Sequence, residues 1–330
     1  MDLGQLEGFD RREPIMRRAL VVGIDDYPGC PLHGCVNDAR NVSKVLSRHH
    51  DDTLNFQCEL LINPPTEITR GVLRQKITEL FKDPADVAFL HFSGHGTING
   101  LGGYLVTPDY SDYDVGVAMA EVLALANQSA VHEKFITLDC CHSGAFGLVP
   151  AISEDKIILS EGVSVITATR SGQEAIEEGG AGVFTSLLIE ALDGGAAGVL
   201  GEVSAASVYA YIETAMGAWD QRPLFRANVS QFTRLRQAEP RVDIVLLHRL
   251  TEYFPLPAEQ LPLSPEYEPE AEPHNPVKEA IFRDLQRLRN AGLVEPIGEE
   301  HMYHAAMNSR ACALTSLGRY YWRLVSENKL

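Results

Sequence analysis

Short β-branched runs alternate with amphipathic helical patterns along the first two-thirds of the chain, and this alternation narrows the possible folds more than any other feature. ALVVGI (19–24) reads as a buried strand and VNDARNVSKVL (36–46) as the helix after it. FQCELLI (56–62) is a second strand. ITRGVLRQKITELF (68–81) is a helix with Ile68, Val72, Leu73, Ile77, Leu80 and Phe81 along one face. VAFLHFS (87–93) and KFITLDC (134–140) are strands three and four, with a helix near 118–129 between them. VSVITAT (163–169) is a fifth strand, VFTSLLIEAL (183–192) and ASVYAYIETAM (206–216) are helices, and PLFRANV (223–229) is a sixth strand. The pattern predicts an α/β fold: parallel strands, right-handed crossovers and helices on both faces of the sheet. Ligands bind such sheets beyond the carboxyl ends of the strands. Two strands carry chemistry there: HFSGHG (91–96) and LDCCHSG (138–144).

Bulk properties exclude several classes. The 330 residues carry a formal net charge of −17, from 45 acidic and 28 basic residues, which argues against a nucleic-acid-binding surface over the whole chain. An acidic surface suits basic peptide segments. The cysteines at 30, 35, 58, 140, 141 and 312 are too irregular for a disulfide framework, and none forms a CxxC pair. Reduced thiols in a cytoplasmic setting are expected. The N-terminal stretch has no signal-peptide core, and no apolar run approaches about 18 residues, so no membrane span is expected. No cofactor and no metal is expected.

The predicted domain order is an N-terminal extension (1–14), a large α/β domain (15–250), a linker (251–276) and a small accessory domain (277–330). FPLPAEQLPLSPEYEPEAEPHNP (254–276) is rich in proline and glutamate and reads as an extended linker. Beyond it, VKEAIFRDLQRLRNAGLVEP is a helix stopped by Gly292. A short strand pair and a last helix complete a winged-helix-like outline. With eight Lys/Arg against six Asp/Glu, this unit is slightly basic. Arg283 and Arg287 share a helix face and Arg289 points elsewhere, a poor cluster for phosphate contacts. A regulatory or partner-binding module is favoured over DNA binding.

A thiol attacks a carbonyl as thiolate, so it needs an imidazole beside it and exposure at a cleft edge. His95 lies in S-G-H-G, where flanking glycines let the chain turn after a strand. Cys141 follows 46 residues later, after one crossover helix, the separation that brings neighbouring strand ends together. Side chains alternate along ITLDCC. Ile136, Leu138 and Cys140 share one face, and Thr137, Asp139 and Cys141 the other. Cys140 therefore continues an apolar set and Cys141 starts the exposed turn, so Cys141 is the expected nucleophile. Cys30, Cys58, Cys140 and Cys312 read as small core hydrophobes, and His91 and His142 as structural histidines.

The ordered set ALVVGIDDY, L-x-G-C-V-N-D-A (32–39), F-S-G-H-G-T (92–97), D-C-C-H-S-G (139–144), T-A-T-R-S-G-Q-E-A (167–175), F-T-S-L-L (184–188) and Q-R-P (221–223) resembles the caspase family of cysteine peptidases, on the metacaspase and bacterial orthocaspase side. The resemblance covers about residues 15–235. It implies a caspase-like, six-stranded, mostly parallel sheet flanked by helices. It implies a His95/Cys141 dyad, with the N–H groups of Gly96 and Cys141 as an oxyanion hole. It also implies that Cys35, Asp38, Ser93 and Asp139 line a pocket for the residue before the scissile bond. Two carboxylates there would repel acidic side chains and pair with guanidinium or ammonium, giving cleavage after Arg and less well after Lys. The residues alone leave other readings open. Asp38 suits a helix N-terminus, and Asp139 could orient His142 or cap a loop.

The sequence departs from many metacaspases at T-I-N-G-L-G-G-Y (97–104), which lacks the acidic insert associated with calcium. Asp109, Asp112 and Asp114 follow without EF-hand spacing, read as turn aspartates, and calcium-independent activity is expected. Lys156, in the segment joining strands four and five, suits autoprocessing or a plain solvated loop. By analogy with bacterial caspase-like proteins that carry accessory domains, the expected role is a regulated effector protease of defence or cell death. The competing functions are a pseudopeptidase scaffold and a winged-helix nucleic-acid-binding regulator with a caspase-like sensor domain.

Overall fold

The computed structural model describes residues 16–111, 114–140, 158–168, 177–178, 181–216, 223–230, 233–272 and 274–330, with 177–178 and 181 by backbone alone. It divides into two compact units: residues up to Ala197 with Glu202–Ala238, and Gly198–Gly201 with Glu239–Leu330.

The first unit is built on a six-stranded sheet from β1 (Arg17–Ile24), β2 (Gln57–Asn63), β3 (Val87–Ser93), β7 (Glu133–Asp139), β8 (Val163–Thr167) and β12 (Leu224–Asn228), in the order β12-β8-β7-β3-β1-β2. Only β12 runs antiparallel to its neighbour. This is the expected mostly parallel sheet flanked by helices. β1 and β3 are hydrophobic on both faces because helices cover both. Leu20, Val22, Ile24, Leu90, Ile136 and Leu138 enter a core with α2 (Arg70–Lys82) and α3 (Met119–Gln128). Ala19, Val21, Phe89 and Phe135 enter the opposite core with α1 (Cys35–Ser47), α4 (Val183–Glu190) and α5 (Ala205–Met216). The strand order reverses between β1 and β3, the place where a sheet of this kind opens a crevice at its carboxyl edge.

Gly23, near the end of β1, lets α1 lie directly on the strand. A Cβ there would overlap the Cys35 carbonyl oxygen and press on Ala39 Cβ. That close approach sets the height of the first turn of α1 above the sheet edge.

Local pattern did not reveal everything between β3 and β7. Ahead of α3, β4 (Gly96–Asn99), β5 (Gly102–Ser111) and β6 (Asp114–Ala118) form a three-stranded antiparallel sheet. Two short pairs complete the unit: β9 (Glu177–Glu178) with β10 (Ala181–Gly182), and β11 (Glu202–Ser204) with β13 (Arg234–Gln237).

The second unit corrects two predicted boundaries. Besides Gly198–Gly201 it takes in the chain from Glu239, so the large domain ends before 250 and the small one starts before 277, because Leu246, Leu247 and Leu250 of α6 (Ile244–His248) and α7 (Leu250–Tyr253) belong to its core. The stretch 251–276 is not an extended linker. Phe254, Leu263 and Tyr267 are buried in the same core, and residues 260–262 form β14 (Gln260–Pro262). Its prolines are compatible with folded structure: Pro262 sits on an edge strand and Pro276 opens α8 (Pro276–Asn290), both tolerated positions. After α8 come β15 (Val294–Ile297), α9 (Met302–Met307), β16 (Ala311–Leu314) and α10 (Ser316–Ser326), with sheet order β14-β16-β15. Among the described residues no helix is long and apolar enough to cross a membrane.

Candidate active site

The site grows from the carboxyl edge of β1, β3 and β7. Ser93 ends β3 opposite Asp139, the last residue of β7. His95 stands two residues past the end of β3 and is half-buried. Its backbone N–H donates to the Tyr27 hydroxyl at 3.0 Å, and that hydroxyl donates to the Val106 carbonyl at 3.2 Å. The Tyr27 ring meets the imidazole edge-on, with centroids 4.6 Å apart. Burial pushes the Tyr27 phenol well above its ordinary value, so it remains a neutral donor.

His95 Nε2 lies 2.8 Å from the Cys30 carbonyl oxygen. A carbonyl only accepts, so Nε2 carries a proton, and in the neutral ring Nδ1 carries the lone pair. The ring is thus presented as a base through Nδ1. Sequence reasoning missed both supports. Tyr27 was visible as part of G-I-D-D-Y, but a backbone carbonyl such as that of Cys30 has no residue signature.

The residues expected to line a pocket, Cys35, Asp38, Ser93 and Asp139, come from three elements. Asp38 lies in the first turns of α1 and Asp139 at the end of β7, exposed by only 2% and 5%. The Ser93 hydroxyl donates to Asp38 Oδ2 at 3.3 Å, and Cys35, the first residue of α1, is buried beside this cluster's helix turn. A fourth element was not foreseen. The N-cap of α4 is Gly182, which has no side chain to cap the helix. Asp38 Oδ2 accepts the Gly182 N–H at 3.0 Å. Asp139 Oδ2 accepts the Thr185 N–H at 3.2 Å and its hydroxyl at 2.7 Å. Two carboxylates from elsewhere in the chain therefore satisfy the first turn of α4, where a helix favours negative charge. α1 is built the same way. Its N-cap is Gly34, and Asp25 accepts the N–H groups of Cys35 at 2.8 Å and Val36 at 3.3 Å.

Cys140 is 1% exposed and packs with Ile136 and Leu138, the face assigned from strand alternation. Cys312 is likewise buried, Cys58 half-buried, and Cys30 exposed, not a core thiol. Cys30 departs from the expected pattern because its loop crosses the outer rim, where its carbonyl reaches His95. Cys141, His142 and Lys156 lie outside the described residues, as does Asp112. Gly96 opens β4 directly after His95.

Asp109 and Asp114 do more than decorate a turn. Asp109 accepts the Arg70 backbone N–H and the Thr107 hydroxyl, and Asp114 pairs with the Arg70 guanidinium at 2.6 Å. They tie the β5–β6 hairpin to the start of α2. Among the described residues no cluster of His, Cys, Asp or Glu is arranged to hold a metal ion.

His91 is a structural histidine. It is fully buried, Nδ1 donates to the Thr137 hydroxyl oxygen at 2.9 Å, and that hydroxyl donates to the Leu90 carbonyl. Burial pushes its pKa from 6.5 down to about 3. The folded protein keeps His91 neutral while the unfolded chain takes up a proton below about 6.5. Stability is therefore lost as pH falls from about 6.5 toward 3, by up to about 1.4 kcal/mol per pH unit. His91→Gln should flatten that decline, measured from urea midpoints between about pH 6 and pH 4. Parallel wild-type and variant curves would contradict it.

With this geometry established, known proteins supply an independent comparison. Residues 16–231 match the model of the caspase domain family, peptidase C14. Metacaspase-1B of Aspergillus terreus is 29% identical over 189 residues, which are 52% of this chain and 50% of that protein. Metacaspase-7 of Arabidopsis thaliana is 41% identical over 92 residues, 24% of this chain and 21% of its own length. The chain thus spans about half the length of the fungal relatives it matches. A crystal structure of a protein from Geobacter sulfurreducens shares the fold, at a TM-score of 0.50 and 17% identity, covering 68% of this chain and all of that one. The matched region contains β1 through β12, the His95 turn and the α4 carboxylates, and the chain belongs to the caspase domain family, with metacaspases among its relatives.

Proposed function

We propose that the protein is a cysteine endopeptidase that cleaves after arginine, and less well after lysine, through His95 and Cys141. The orientation of His95 carries this reading: its Nε2 proton is held by the Cys30 carbonyl, so Nδ1 is left basic beside the end of the strand that leads into Cys141. In the proposed reaction the Cys141 thiol gives its proton to His95 Nδ1 and the sulfur attacks the scissile carbonyl carbon. The N–H groups of Gly96 and Cys141 receive the developing oxyanion. The carbon–nitrogen bond breaks, and His95 returns the proton to the leaving amine. Water, deprotonated by His95, then cleaves the thioester and restores the thiol. Cys35, Asp38, Ser93 and Asp139 receive the basic side chain.

The second unit is proposed as a partner-binding or regulatory module, and the whole chain as an effector held inactive until a signal arrives. The discriminating assay compares peptides with Arg, Lys, Asn and Asp before the scissile bond, in chelator-treated enzyme with and without millimolar calcium. Preference for Arg over Lys, negligible cleavage after Asp and Asn, and no calcium dependence are expected. Preferred cleavage after Asp or Asn defeats the specificity, and a large rise with calcium defeats the calcium independence. Mass spectrometry of wild type beside Cys141→Ala tests autoprocessing at Lys156, with the cut expected in the wild type alone.

A further inference from the structure

We propose that Thr185, in the first turn of α4, is a positioning residue that makes the pocket prefer arginine to lysine by fixing the plane of the Asp139 carboxylate. This rests on Asp38 and Asp139 receiving the substrate's basic side chain. Asp139 ends a strand and is buried, and its Oδ2 accepts two hydrogen bonds from one residue, the Thr185 N–H and its hydroxyl. The 2.7 Å bond from the hydroxyl is the shorter of the two and has the length of a charge-assisted bond. One acceptor contact leaves a carboxylate free to swivel about its terminal torsion. Two donors from a rigid helix turn remove that freedom.

Gly182 completes the device. A Cβ on it would overlap Asp139 Oδ2 and come 3.1 Å from Asp38 Oδ2, so both carboxylates lie against the same backbone position. A side chain at 182 would force the Asp139 carboxylate to turn. The absence of one lets α4 hold both anions at once.

Fixed planes matter differently to the two cations. A guanidinium binds carboxylates through a planar fork, so it gains from a carboxylate held in one orientation. An ammonium is a compact point charge and tolerates a swivelling partner. Loss of the Thr185 hydroxyl should therefore weaken arginine more than lysine, in binding and not in the chemistry at sulfur.

The test is steady-state cleavage of matched Arg and Lys peptides by wild type, Thr185→Val and Thr185→Ser. Valine keeps the shape and the N–H and deletes the hydroxyl. The expected result for Thr185→Val is a kcat/KM for arginine at least about 10-fold lower, carried by KM, with a smaller loss for lysine, so that the Arg:Lys ratio falls. Thr185→Ser should restore the ratio. Alkylation of Cys141 by iodoacetamide should proceed at the wild-type rate in all three. If Thr185→Val does not fold, Gly182→Ala carries the test, with the same fall in ratio expected. An unchanged Arg:Lys ratio in a folded variant, or an equal loss for both peptides, overturns the inference. A wild type that does not favour Arg and Lys over Asn would instead overturn the acidic-pocket reading beneath it.

Discussion

Cys141→Ala is expected to lower hydrolysis of an arginine-containing peptide by about 10⁴-fold or more, whereas Cys140→Ala leaves it within about 10-fold. The two cysteines are neighbours in sequence, and the alternation of side chains along ITLDCC assigns them to opposite faces. Cys140 follows Ile136 and Leu138 into the core under α2 and α3, where a substrate carbonyl cannot reach its sulfur. Its replacement removes a small buried group and costs on the order of 1 kcal/mol, visible as a drop of a few degrees in Tm. In the proposed reaction Cys141→Ala removes the attacking sulfur, and alanine supplies no nucleophile in its place. Measured kcat/KM and Tm for the two variants separate these roles. Activity that survives Cys141→Ala and vanishes in a folded Cys140→Ala would reverse them.

Asp139→Asn is expected to weaken cleavage after arginine by about 2–5 kcal/mol, roughly 30- to 5,000-fold, the cost of unpairing a buried charge. The substitution is close to isosteric. The amide oxygen can still accept from Thr185, so the first turn of α4 keeps its cap and the change reports on charge. Asp139→Ala should be worse in stability, because Gly182 offers no side chain to replace the lost acceptor. Loss of a cap costs about 1 kcal/mol. Peptide kinetics for Asp139→Asn, with the melting temperature beside them, check both statements. A variant that folds and retains full selectivity for arginine would remove Asp139 from the pocket.

The parts of this fold legible in the sequence are those written in local periodicity. β1, β3 and β7 announce themselves as apolar runs, and the face shared by Ile136, Leu138 and Cys140 follows from a period of two. α2 follows from its stripe of Leu73, Ile77, Leu80 and Phe81. What local pattern cannot carry is a partnership across the chain. The caps of α1 and α4 come from Asp25 and Asp139, each supplied by a different element to a helix whose own N-cap is glycine. Thr185 therefore read only as part of F-T-S-L-L. The small sheet of β4, β5 and β6 was missed because β4 and β6 are short and glycines punctuate all three strands. Composition misled at 251–276: the abundance of proline and glutamate hid Phe254, Leu263 and Tyr267, three anchors sufficient to hold the segment in a core. The pairing of His95 with the Cys30 carbonyl was out of reach for a different reason, since any residue at 30 presents the same oxygen.

The most direct test is labelling of the full chain with an arginyl peptide bearing a thiol-reactive electrophile, followed by mass spectrometry of the adduct. One adduct is expected, on Cys141, its formation strongly slowed by His95→Ala and outcompeted by an arginine peptide but not by an aspartate one. An adduct on Cys140, or labelling of Cys141 that ignores both His95 and the arginine side chain, would contradict it.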